Sequence, residues 1–130
     1  MRLFCDLDGV LVLQTGRDNF DTMPWMPDGK ILWHFIKPLR PIILSMLRPD
    51  IYARCAPQKM QWCVRELGSD VTVFVTQLTI GKAAHAEPGD ILIDDDQTTH
   101  QHPWQQAGGV FLHHRSAPAT IAMLKTLGVG

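Results

Sequence analysis

The chain has 130 residues and a formal net charge of -1, with 45% apolar and 19% charged residues. Those figures fit one globular domain built on a single core and leave no broad cationic surface for nucleic acid or a membrane to bind by charge alone. Cys5, Cys55 and Cys63 are too few and too irregularly spaced for a disulfide framework, and no apolar run approaches the roughly 20 residues of a membrane span. With no charged-then-apolar leader pattern at the amino terminus, these features predict a cytoplasmic protein with free thiols and no membrane association.

The first element is an apolar strand, Leu3 to Leu7, that runs into Asp6 and Asp8 and then Gly9. Residues two apart on a strand point the same way, so a continued strand would set both carboxylates on one face. Acids at the carboxyl end of a buried strand are costly unless a cation or hydrogen bonds hold them, and hard oxygen ligands there suit magnesium. The alternative is an ordinary Asp-Gly turn. A short insertion at about 11–29 follows, with Gly16, Pro24, Pro27 and Gly29 among mixed polar and aromatic residues. Phe20, Met23, Trp25 and Met26 would make it a small lid or substrate wall, or a flap packed on the core, and Trp25 is its candidate for stacking on a base.

Asp28 is placed to cap a helix over Lys30–Lys37 with Ile31, Leu32, Phe35 and Ile36 on its apolar face, ended by Pro38 and Pro41. Pro41–Ser45 reads as a central strand with Ser45 at its carboxyl end. Residues 46–56 show no clear pattern, and a second helix is expected to start at Pro57 and stop at Gly68. Val71–Val75 is a β-branched third strand, and 76–89 a loop or short helix carrying Lys82 and His85. Asp90–Ile93 is a fourth strand that runs into Asp94, Asp95 and Asp96. A helix over Thr98–Gln106, a strand over Gly109–Leu112 and a helix over Ala117–Leu127 complete the chain. Alternating strands and helices predict an α/β fold with a five-stranded parallel sheet covered on both faces. In such a sheet all carboxyl ends share one edge. Asp6, Asp8, Ser45, Lys82, Asp94 and Asp95 are therefore expected to converge there.

Asp6-Leu7-Asp8-Gly9-Val10, then Ile43-Leu44-Ser45, then Lys82, then Ile91-Leu92-Ile93-Asp94-Asp95 resemble, in order, the four motifs of the haloacid dehalogenase (HAD) superfamily. The resemblance covers nearly the whole chain. Within the superfamily the chain is similar to small-cap phosphatases such as the 5'(3')-deoxyribonucleotidases, a likeness that includes Gly89 to Asp95 followed by Trp104, and to phosphatase domains of nucleic-acid end-repair enzymes. It implies a Rossmann-like three-layer α/β/α sandwich with a minimal cap. It further implies a magnesium-dependent phosphomonoester hydrolase that works through an aspartyl-phosphate, acting on a nucleotide, a phosphorylated nucleic-acid end or another small phosphorylated metabolite, with no stable protein partner.

The resemblance implies these roles. Asp6 is the nucleophile. Asp8 is the acid and base, and its backbone carbonyl a metal ligand. Ser45 binds a phosphoryl oxygen with Met46 beside it, and Lys82 neutralises Asp6 and the phosphate. Asp94 or Asp95 completes the metal shell begun by Asp6 and Asp8. Lys59 is the alternative to Lys82, and His85, one helical turn after Lys82, is a further candidate for substrate contact. Five of the six histidines, His85, His100, His102, His113 and His114, lack a distinct zinc-site spacing; His100 and His102 are alternatively substrate contacts or surface residues. Cys5 points to the opposite strand face from Asp6 and reads as core. A receiver-like phospho-acceptor module would gather similar groups, but it places its acceptor aspartate after the third strand, where this chain has Val75-Thr76-Gln77.

Overall fold

A computed structural model describes residues 1–14 and 19–130; Gly16, counted among the insertion's turn residues, lies outside them. The fold is α/β. Strands β1 (Leu3–Cys5), β2 (Ile42–Leu47), β3 (Val73–Gln77), β4 (Ile91–Asp94) and β5 (Val110–His113) form one all-parallel sheet in the order β3-β2-β1-β4-β5. Four helices flank it: α1 (Gly29–Ile36), α2 (Pro49–Glu66), α3 (Gln97–Gln106) and α4 (Ala117–Thr126).

Crossovers that step in opposite directions along a sheet must lie on opposite faces if all are right-handed. The helices divide accordingly. α1, α2 and α4 pack with Cys5, Ile43, Ile93 and Leu112 in the larger core, while Trp104 of α3 closes a smaller one with Phe4, Leu44, Leu92 and Phe111. The connection from β3 to β4 has only a short 3-10 turn, Lys82–His85. β1 and β4 are the neighbours from which the two directions diverge. Their carboxyl ends form the crevice where open α/β sheets take ligands. No helix among the described residues is long and apolar enough to cross a membrane.

Several element boundaries differ from the sequence reading. α2 begins at Pro49, which sits in the first turn with its fixed φ already helical, so Pro57 is interior. β3 runs two residues later than expected. α1 buries Leu32, Trp33 and Ile36 but leaves Ile31 57% exposed. Asp28 precedes α1 without a side-chain cap; its Oδ2 instead accepts from the Ala117 backbone N–H at 2.6 Å, tying the start of α1 to the start of α4. Asp96 does cap α3, accepting from Thr99 N–H at 3.1 Å.

The described residues of the insertion are held to the core. Its ends zip together through Leu13 N–H to Pro24 O at 2.9 Å and Met26 N–H to Leu11 O at 2.7 Å. Beyond them α2 grips it: Trp62 Nε1 donates to Met23 O at 2.8 Å and Gln58 Oε1 accepts from Phe20 N–H at 2.9 Å. Phe20 and Met23 are buried.

At the opposite edge of the sheet, the Asp90 carboxylate accepts from Arg2 N at 2.8 Å, Arg2 Nη2 at 2.7 Å and Glu87 N at 2.8 Å. Burial opposes its charge, but these bonds from Arg2 and Glu87 hold its carboxyl below the ordinary value. Asp90→Ala should cost about 2 kcal/mol or more, because two backbone donors lose their acceptor. The contribution of a carboxyl with a lowered native pKa is present above its unfolded value and lost as pH falls through the native one. Urea unfolding should therefore show the wild-type advantage at neutral pH and its loss in acid.

Candidate active site

β1 ends at Cys5, but Asp6 N–H still bonds Ile93 O at 2.9 Å, so Asp6 leaves the sheet beside the end of β4. The chain then wraps over one carbonyl: the amides of Leu11 and Val12 both donate to Leu7 O at 2.9 Å. This turn is why Asp6 and Asp8 meet different partners while lining the same cleft, of about 270 Å³. Gly9 makes the turn possible with φ +80°, and a Cβ there would lie 2.0 Å from Asp95 Oδ2. Gly9→Ala must strain the backbone and push Asp95 aside. The variant should fold less stably, as urea unfolding would read; unaltered stability would show that the Asp95 carboxyl moves aside without cost.

Asp6, Asp94 and Asp95 can present one oxygen each within 4.8 Å of one another. Lys82, buried in the 3-10 turn, donates to Asp6 Oδ1 at 2.8 Å and Asp94 Oδ2 at 2.6 Å. Asp6 Oδ1 also accepts from Leu7 N–H at 2.8 Å, so Oδ1 is held by two donors, Lys82 and the Leu7 amide. Asp94 is fully enclosed, its Oδ1 accepting from Asp96 N–H at 2.8 Å. Asp95 is exposed as a residue, yet its carboxyl lies against Asp6 and Gly9.

Burial pushes the Asp6 carboxyl up to about 7, with Asp94 and Asp8 adding to the rise and Lys82 resisting it. Asp95 is likewise pushed up to about 7 by desolvation and by Asp6. Asp94 is raised by burial against the pull of Lys82. Burial pulls Lys82 down, but Asp6 and Asp94 more than offset it and hold its ammonium above the ordinary value. Three carboxylates facing one ammonium carry excess negative charge, and all the available donors are hard oxygens. Asp6, Asp94 and Asp95 could therefore hold a metal ion between them through hard oxygen ligands.

A second cluster adjoins the first. Ser45, buried on β2, and Asp8 share one partner: Lys59 of α2 donates to Ser45 Oγ at 2.6 Å, Asp8 Oδ2 at 2.8 Å and Met46 O at 3.2 Å. Both lysines named as alternatives from sequence are thus in the site, Lys82 on Asp6 and Asp94, Lys59 on Asp8 and Ser45. The Asp8 carboxylate pairs with Lys59 and stands apart from the three clustered acids; the group expected to meet a metal there is its backbone carbonyl. Met46 lines the cleft.

His85 does not line the acidic cleft. Its ring stacks on Phe74 of β3 at 5.3 Å, and it borders a separate apolar groove. The flat ring finds an apolar face there, and Ala86 turns the chain extended. His100 lines the acidic cleft from α3 instead, neutral at physiological pH because burial and then Lys82 lower it to about 4. Trp25 is turned to α2, tilted against Trp62 at 5.1 Å and bonded to Glu66 Oε1 at 2.9 Å, and takes no part in the cleft. Cys5 is a buried free thiol in the core. Among the described residues no histidine or cysteine joins a metal-capable cluster.

Lys59 had one signal in the sequence. It stands where the α2 stripe of Cys55, Trp62 and Cys63 calls for an apolar residue. The sequence matches no protein-family model and no curated protein.

Proposed function

We propose that the protein is a divalent-cation-dependent phosphomonoester hydrolase of the HAD type that works through an aspartyl-phosphate on Asp6. The observation that carries this reading is the meeting, at the β1/β4 crevice, of Asp6, Asp94 and Asp95 around Lys82 with Asp8 and Ser45 alongside. Two anions, carboxylate and phosphate, meet only with cationic charge between them.

The chemistry follows from the side chains. Asp6 Oδ2 attacks phosphorus and the bond to the leaving oxygen breaks, while Asp8 gives that oxygen a proton. Asp8 then takes a proton from water, whose oxygen attacks phosphorus and frees Asp6. Lys82 neutralises Asp6 as the anion approaches, and Ser45 hydrogen-bonds a phosphoryl oxygen. A magnesium ion held by Asp6, Asp94 and Asp95 would supply further charge neutralisation for the phosphoryl group.

Phe20 and Met23 of the insertion are held on α2, and Gln14 borders the cleft beside Asp8 and Asp95. We propose a phosphorylated nucleotide or nucleic-acid end as substrate. The test is turnover of p-nitrophenyl phosphate in Mg2+, followed by a panel of 5' and 3' nucleotides, phosphorylated DNA and RNA ends and sugar phosphates. Cation-dependent release of phosphate, abolished by EDTA, is expected. An inert wild-type protein across the panel would overturn the reading, and preference for sugar phosphates would overturn the substrate class alone.

A further inference from the structure

The geometry points to Lys59 as a positioning residue of the same site, with a task separate from that of Lys82: its ammonium fixes the Ser45 hydroxyl and the Asp8 carboxylate for the phosphoryl group. The inference rests on the phosphatase reading.

Lys59 is fully buried. A lysine is costly there unless its charge is paired, and its neighbours on the helix stripe, Cys55, Trp62 and Cys63, would pack against an apolar residue. Its three N–H groups have three partners, Asp8 Oδ2, Ser45 Oγ and Met46 O. An ammonium can only donate. Ser45 Oγ must therefore accept from Lys59, and its own proton is left for another acceptor, the state needed to bind a phosphoryl oxygen. Asp8 is gripped through Oδ2 alone. Its Oδ1 is buried without a hydrogen-bond partner, an oxygen left available for a proton in transit. The ring of Phe20 covers the ammonium at 4.6 Å, so the flap helps to keep water from this cluster. Lys82 shares none of these partners; its bonds go to Asp6 and Asp94.

The test is steady-state turnover of p-nitrophenyl phosphate in Mg2+ by the full chain, with wild type, Lys59→Met, Ser45→Ala and the double variant compared. Lys59→Met keeps the side chain's length, and circular dichroism reports its fold. The expected result is a fall in kcat of about 10²-fold with KM changed little. The double variant should lose scarcely more than the worse single one, because Lys59 acts through Ser45. In Lys59→Ala, n-butylammonium should restore turnover and n-butanol should not. A kcat close to wild type in Lys59→Met, or fully additive losses, would overturn the role of Lys59 while leaving the phosphatase reading intact. A wild-type protein inert towards all phosphomonoesters would overturn both. If the variants do not fold, 15N NMR of the wild type decides: the Lys59 Nζ resonance should shift when orthovanadate binds with Mg2+, and an unmoved resonance in the bound state overturns the assignment.

Discussion

Asp6→Asn is expected to abolish turnover, by on the order of 10⁴-fold or more, while leaving the protein as stable as before or more so in the absence of divalent cation. The amide cannot attack phosphorus, and a lost nucleophile removes the covalent path altogether. The stability effect has the opposite sign because the native state holds Asp6, Asp94 and Asp95 together against their mutual repulsion, and Lys82, the cation paired with them among the described residues, offsets it in part. Removing one charge relieves that repulsion, and Lys82 keeps Asp94 as a partner at 2.6 Å. In EDTA the melting temperature should rise by roughly 3–5 °C, the change that about 1 kcal/mol makes in a domain of this size. Added Mg2+ should stabilise the variant less than the wild type. Equal activity in the two proteins would remove Asp6 from the chemistry. A large loss of stability would show that the carboxylate serves the fold.

Lys82→Ala should be the most destabilising change in the site. It strips the buried ammonium from Asp6 Oδ1 and Asp94 Oδ2 and leaves two enclosed carboxylates without their countercharge. Breaking such a pair costs roughly 3–5 kcal/mol, a large share of the 5–15 kcal/mol typical of a folded domain. The loss should depend on pH with a defined sign. Asp6 and Asp94 are already raised in the wild type, and Lys82 is the group that resists the rise. Without it the carboxyls keep their protons to higher pH. A carboxyl raised in the native state costs nothing below its unfolded value, and the cost grows as pH climbs from there to the native value. Urea midpoints of the variant should therefore approach the wild type near pH 4 and fall away from it towards pH 8. A deficit of constant size would mean that packing, not charge, is what Lys82 supplies.

The sheet was legible in the sequence because each strand announces itself. β-Branched or apolar runs lead into Asp6 and Asp94, and the parallel rule brings their ends to one edge; β2 runs on through Met46 to Leu47, so Ser45 lies within the strand and not at the end expected for it. What escaped was set by contacts between distant elements. Pro57 looks like a helix start until Pro49 is seen to serve as one. Asp28 stands one residue before a helix, yet its carboxylate accepts from the Ala117 amide, far along the chain. His85 was placed by counting from Lys82, but the ring's direction was settled by Phe74 on β3. Trp25 resembled a base-stacking residue because aromatic character is visible in a sequence and its partners, Trp62 and Glu66, are not. Lys59 and Lys82 competed for one role on paper. Space gives each its own pair of partners.

The most direct measurement is a rapid acid quench during turnover of a good substrate in Mg2+, followed by peptide mapping of the protein. A covalent phosphoryl group on the peptide containing Asp6, absent from Asp6→Asn, is the expected result. Rapid phosphate release with no phosphoryl group on Asp6 under quench conditions that preserve acyl phosphates would contradict it.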